Sequence, residues 1–162
     1  KEVEITGKDT FETLHDKLMV VGGEAIVEAL VLLEEGKLVP EKQVDEDSCY
    51  AKIITKEMGN IDFAQNVHVV DRLIRGLNPW PSAYTFYQGK QMKVWEADVM
   101  EGKVEAMPGT VVEVTKNAIM VACEGGVLGI TNLQLEGKKR MSAHDFLLGV
   151  KVNVGDLFTR DR

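Results

Sequence analysis

The stretch AYTFYQGKQMKVWEADV, residues 83–99, decides the fold. AYTFY at 83–87 and QMKVWEADV at 91–99 each alternate apolar with polar residues, and the QGK between them is turn chemistry, so the two pieces are expected to be strands. The same pattern continues downstream in TVVEV at 110–114, AIMVAC at 118–123 and VLGITNLQL at 127–135, with PG, KN and EGG in between. Five short strands separated by such turns predict a small antiparallel barrel. Two of them change phase partway. Met92 and Val94 are even but Ala97 and Val99 odd, and Leu128 and Ile130 are even but Leu133 and Leu135 odd. A one-residue bulge in each strand keeps both apolar sets on the inner face and bends the strand, as barrel corners require.

Helical patterns flank this block. Upstream, Phe63, Val67, Val70, Ile74 and Leu77 recur at helical spacing, with Asp62 placed to cap, Gly76 and Pro79 to stop, and Arg72 and Arg75 off the stripe. Further upstream, Leu14, Leu18, Val21, Ile26, Leu30 and Leu33 mark a second helical region. Asp9 with Glu12 fits a capping box there and Gly36 a stop, while Gly22 and Gly23 are expected to divide the region into two helices or one bent one. Between the helical regions lies a polar, acidic linker with one brief extended segment at Tyr50–Ile54. Beyond the strands, Ser142 with Asp145 predicts a helix start at residue 143. The whole reads as an α+β chain.

With 162 residues, 44% of them hydrophobic, one ordinary domain or two small ones can each bury a core. No run suits a membrane span or a signal peptide, so the expected location is cytoplasmic. Cys49 and Cys123 lack CxxC spacing, so neither a zinc site nor a disulfide is expected, and both read as small buried hydrophobes. The net charge of −7 is unevenly spread. Residues 1–62 hold 7 Lys and Arg against 15 Asp and Glu, whereas residues 63–162 hold 12 against 11, so a polyanion is repelled by one end only.

Chemistry-bearing patterns are sparse. His15, His68 and His144 each fall in a helical segment without a ligand-spaced partner, and GxSxG, GxxxxGK[ST] and GxGxxG are missing. These histidines read as structural or surface residues, and no metal is implied. The triplet Lys138, Lys139 and Arg140 is different. It precedes a helix start, where positive charge opposes the helix dipole, so local structure gains nothing from it. A solvated turn is one reading and phosphate contact the other.

RLIRGLNPWPSAYT at 72–85, KVWEA at 93–97, PGTV at 108–111 and LQLEGKKRMSAHDFLLG at 133–149 together resemble the C-terminal half of the bacterial methionyl-tRNA formyltransferase family. DTFETLHDKL at 9–18 and YAKIITKEMGNIDF at 50–63 match in the same order. The most specific pieces are NPWP at 78–81 and GKKRM at 137–141.

This resemblance implies transfer of a formyl group from 10-formyltetrahydrofolate to the methionine amino group of initiator methionyl-tRNA. It also implies a catalytic Asn, His and Asp in a Rossmann-like N-terminal domain, ahead of the element that corresponds to Val3 and Ile5. The chain is therefore expected to lack catalytic and folate-binding residues. Residues 1–40 would be the last helices of that domain, 41–60 the linker, and 61–162 an OB-like barrel that binds and orients tRNA. The candidate tRNA contacts are Lys138, Lys139 and Arg140 first, then Lys90 and Lys93 beside Trp95, then Arg72 and Arg75. Lys56 occupies a family position in the linker. Trp80 is expected to pack the helix onto the barrel, and the face of Trp95 is undecided. Neither membrane nor DNA is an expected partner, and a monomer is the default. The alternatives are a purely structural module and a formyl acceptor of another class, such as an amino sugar nucleotide.

Overall fold

Thr10 caps helix α1, Phe11–Glu34, by a reciprocal pair of bonds: its hydroxyl accepts from the Thr13 amide at 3.2 Å, and the Thr13 hydroxyl accepts from the Thr10 amide at 2.9 Å. This corrects the assignment of the cap to Asp9 and Glu12. The Asp9 carboxylate instead gathers the Thr6 amide and hydroxyl, the Thr13 hydroxyl and the Lys17 ammonium at 2.7–2.9 Å. The lysine and these donors hold its pKa far below the usual carboxylate range. The helix runs unbroken through Gly22 and Gly23, against the expected division. Each glycine costs about 1 kcal/mol, and the Ala, Glu and Leu residues of EAIVEALVLLE that follow carry the helix past them. It ends where the Gly36 amide bonds Leu33 O and the Lys37 amide bonds Leu32 O.

The computed structural model describes residues 1–162 as two units, Lys1–Ile54 and Thr55–Arg162. Within the first, no residue of α1 is buried. After a 3-10 turn at Asp45–Asp47, Tyr50–Ile54 joins no sheet. Cys49 is exposed there, contrary to the expected burial, because nothing packs on this acidic segment.

In the second unit a 3-10 turn, Lys56–Gly59, leads to helix α2, Val67–Gly76. Asn66 caps α2, accepting from the His68 amide at 3.0 Å. Asp62, expected in that role, caps a turn at Ala64 instead and pairs with Arg160 at 3.1 Å, so the helix begins later than its apolar stripe. The stripe itself is as read: Phe63, Val67, Val70, Ile74 and Leu77 are all buried. Each such side chain contributes about 1.5–3 kcal/mol on leaving water.

The strands are β1 Ala83–Tyr87, β2 Lys90–Glu101, β3 Val111–Val114, β4 Ile119–Cys123, β5 Gly126–Leu135, the short β6 Met141–Ser142, and, after helix α3 Ala143–Gly149, the short β7 Phe158–Thr159. Every pairing is antiparallel, in the order β3-β4-β5-β2-β1-β7 with β6 beside β5. Both predicted bulges are present. Val94 pairs with Leu133 and Glu96 with Asn132, leaving Trp95 unpaired, and Ala97 pairs with Ile130, leaving Thr131 unpaired. The two ends of the sheet are also tied together. The amides of Phe158, Val111 and Gly155 bond Gly109 O, Asp156 O and Val111 O at 2.8–2.9 Å. Inside lie Met92, Val94, Ile119, Val121, Leu128, Ile130 and Leu133, each at most 1% exposed.

Two connections beside this sheet are fixed by local bonds. Asn78 clips the NPWP turn to it, donating to Trp95 O at 3.0 Å, while the Ser82 amide bonds Leu77 O at 2.9 Å. Trp80 is 58% exposed, which corrects its expected packing role, since the turn is anchored through Leu77, Asn78 and Ser82 instead. At α3, Ser142 caps as predicted, accepting from the Asp145 amide at 3.1 Å. The Asp145 carboxylate accepts from the Ser142 hydroxyl at 2.8 Å.

Candidate nucleic-acid interface

Alternation along β1 and β2 sorts side chains between two faces. Ala83, Thr85, Met92 and Val94 are buried on the inner face, which leaves Tyr84, Phe86, Gln91 and Lys93 on the outer one, each half-buried. Directly paired residues share a face, so the register Tyr84–Lys93–Gln134 forms one row across β1, β2 and β5. Gln134 continues the row by donating to Lys138 O at 2.9 Å. At the other end, Gly59 of the turn begun by Lys56 lies against Tyr84, where an added Cβ would come within 3.4 Å of the ring.

Trp95 is the extra residue of the β2 bulge, and the bulge turns it together with Glu96 toward this outer face. Arg140 Cζ stands 4.8 Å and Lys93 Nζ 5.6 Å from the centre of its ring, distances at which a cation is attracted by the indole face. The Trp95 Nε1 proton finds no acceptor, so cation contacts and packing hold the ring rather than a hydrogen bond. Arg140 is further fixed by Asn132 Oδ1 at 3.0 Å and by the Glu96 carboxylate.

The predicted contacts thus separate. Lys93, Lys138, Lys139 and Arg140 gather at the β2–β5 outer face and the turn beside it, with Lys90 at the start of β2. Lys90, Lys138 and Lys139 are exposed. Arg72 and Arg75 ride on α2, whose apolar side packs on the sheet core, so they are not part of this row. Arg75 is held by Asp71 at 3.0 Å, and Arg72 lines a shallow groove of about 320 Å³ with Asn60, Asp62 and Leu73.

Sequence reasoning overlooked Tyr84 and Phe86, whose rings meet edge to face at 5.9 Å. The signal was there, because AYTFY places them at the parity opposite to Ala83, Thr85 and Tyr87. The restraint of Arg140 by Glu96 and Asn132 had no local signal, since 44 residues separate Arg140 from Glu96.

No other cluster offers chemistry. No group of three or more His, Cys, Asp and Glu side chains is placed to hold a metal ion. His15 lies beside Asp16 at 3.3 Å, His68 beside Glu101 at 2.9 Å, and His144 against Lys116 O at 3.1 Å. The buried Cys123 thiol is pushed up to about 12 by desolvation. Burial, reinforced by the Asp156 carboxylate at 2.7 Å, raises the Tyr87 phenol well above its ordinary value. No helix is long and apolar enough to cross a membrane.

Residues 53–151 match the family described as formyl transferase, C-terminal domain. The methionyl-tRNA formyltransferase of Caldanaerobacter subterraneus subsp. tengcongensis is 43% identical over 97% of this chain and 50% of its own length. That of Geotalea daltonii is 45% identical over 96% of this chain and 49% of its own length. The chain therefore spans about half the length of these curated relatives. Among solved structures, HypX from Aquifex aeolicus superposes with a TM-score of 0.57 at 23% identity, over 80% of this chain and 24% of HypX. Its complex with tetrahydrofolic acid gives 0.56 at 22%, over 82% and 26%. At that identity the likeness speaks for the fold alone. Carrying a formyl transferase C-terminal domain over residues 53–151, the chain belongs to the formyltransferase family.

Proposed function

We propose that this chain is the tRNA-holding half of an enzyme that transfers a formyl group from 10-formyltetrahydrofolate to initiator methionyl-tRNA. The observation that carries this reading is the grouping of Lys93, Lys138, Lys139 and Arg140 on one exposed face of a chain that is acidic elsewhere. Phosphates are drawn to such a face, and the contacts position a nucleic acid without reading its sequence. Lys90 extends the patch, and Lys56 stands at the turn that abuts Tyr84. In this reading the β unit is the OB-like domain of a cytoplasmic, monomeric enzyme. Formyl transfer and folate binding belong to the part of the relatives that this chain does not match, so the chain alone is expected to be inactive.

The exposed apolar residues of α1, among them Leu18, Ile26, Val27 and Leu30 at 51–62% exposure, suit a helix that is covered by the remainder of such an enzyme. No residue of the chain favours an amino sugar nucleotide as acceptor over tRNA.

The test is the affinity for methionyl-tRNA across a salt series. Binding is expected to weaken steeply with salt, and changing Lys138 and Lys139 together to Ala should lower the logarithmic slope by about two units, one per phosphate contact. An unchanged slope in the double variant would refute the assignment of these lysines.

A further inference from the structure

We infer that Tyr84, Phe86 and Trp95 form a stacking platform for unpaired nucleotides on the outer face of β1 and β2, so that this face takes a single-stranded RNA segment rather than a duplex. The inference rests on the tRNA-holding reading and adds to it what the face recognises. Cations alone bind any phosphate backbone, single or double. Aromatic rings in reach of those cations discriminate, because only a base out of its helix can lay a π-face on them.

Three observations converge on this. First, the rings are neighbours by register: Tyr84 lies opposite Lys93, Phe86 opposite Gln91, and Trp95 follows two residues after Lys93. The three rings are partly exposed: α2 and the apolar core occupy the other face, while the 3-10 turn Lys56–Gly59 borders the Tyr84 end and the Nε1 edge of Trp95 is buried. Second, the bulge at Trp95 turns the indole outward, toward the residue whose carboxylate binds Arg140. Third, the guanidinium 4.8 Å from the indole centre shows that the ring accepts a flat, cationic group over its face. A nucleobase is flat as well. When a base takes that place, Arg140 and Lys93 are left beside it, within reach of the phosphates on either side of the stacked nucleotide. The platform and the clamp are then one device, with Glu96 and Asn132 holding Arg140 in waiting.

The Trp80→Phe form of the full chain provides the assay, since it leaves Trp95 as the single tryptophan and changes an exposed ring outside the platform. A short single-stranded RNA is expected to quench Trp95 emission saturably and to bind more tightly than a blunt duplex of equal phosphate count. Tyr84→Leu in this background should weaken single-strand binding roughly 5- to 150-fold, the loss of one stacked base, while leaving duplex binding and the salt slope unchanged. The quenching measurement decides the matter even if the Tyr84 variant folds poorly. Equal affinity for single strand and duplex without quenching would overturn the platform and leave the phosphate-binding reading intact. Failure of both RNAs to bind would overturn the two together.

Discussion

Replacing Gly109 by Ala tests whether the closing contact of the sheet contributes to stability. Gly109 has φ of +87, accepts from the Phe158 amide at 2.9 Å and donates to Ala122 O at 2.9 Å. A Cβ there would lie 2.5 Å from Phe158 O, a backbone atom that cannot swing aside. Two costs therefore add. A side chain in the left-handed region costs about 1–2 kcal/mol, and forcing apart a packed backbone costs about 1–3 kcal/mol more. Gly137 provides the control, with φ of +77 and nothing within 4 Å of an added Cβ. Gly137→Ala should lose only the first cost, so Gly109→Ala should be the less stable of the two by about 1–3 kcal/mol. Urea unfolding with both midpoint and slope recorded makes the comparison, against a total of about 5–15 kcal/mol for a domain of this kind. Equal losses for the two variants would show that residues 155–158 do not press on Gly109 in solution.

Ile74→Ala, at a site 1% exposed on α2, should cost about 2–5 kcal/mol, whereas Val69→Ala on the solvent side should stay within about 0.5 kcal/mol in the same urea assay. A thiol reagent at neutral pH should label Cys49 quickly, and Cys123, buried with its pKa raised to about 12, only after unfolding. Asp9 has a depressed pKa in the fold, so the unfolded chain binds the proton more readily, and the stability its network supplies is present above the ordinary aspartate value of 3.8 and lost as pH falls below it. Far-UV circular dichroism should show the first unit losing helix in that acid range, less steeply in Asp9→Asn. The raised Tyr87 phenol works in the opposite direction, so stability should fall as pH rises above 10, and Tyr87→Phe should remove that alkaline decline.

Much of the β unit was legible because its signals are local. AYTFY marks β1 to the residue, and the parity change from Val94 to Ala97 locates the bulge that leaves Trp95 unpaired. The cap of α3 at Ser142 follows from a side chain and an amide three residues apart. What escaped the sequence depends on contacts distant along the chain or on competition between neighbours. Asp62 yields its capping place because Arg160, 98 residues away, draws its carboxylate. Asp9 loses to Thr10 because two threonines can satisfy each other's amides while the aspartate meets Lys17. Trp80, held between two prolines, reads as a packing residue, but the turn is anchored by Asn78 and Ser82 and the ring stays exposed. The cationic patch was read as a list of charges, and only the register shows which of them share a face with Tyr84 and Phe86.

The tie between residues 155–159 and the rest of the sheet has a bearing on how the protein is made. On a ribosome, the β1–β2 and β3–β4 hairpins can pair as they appear and β5 then joins the two, but the stretch that bonds to Gly109 and to β1 emerges after all of them. A nascent chain paused after α3 holds β1 with one side unpaired, an open strand edge of the kind that recruits another chain. Pausing before Gly155 is therefore the step at which aggregation during synthesis should begin, and release of the final strand the step that ends the exposure.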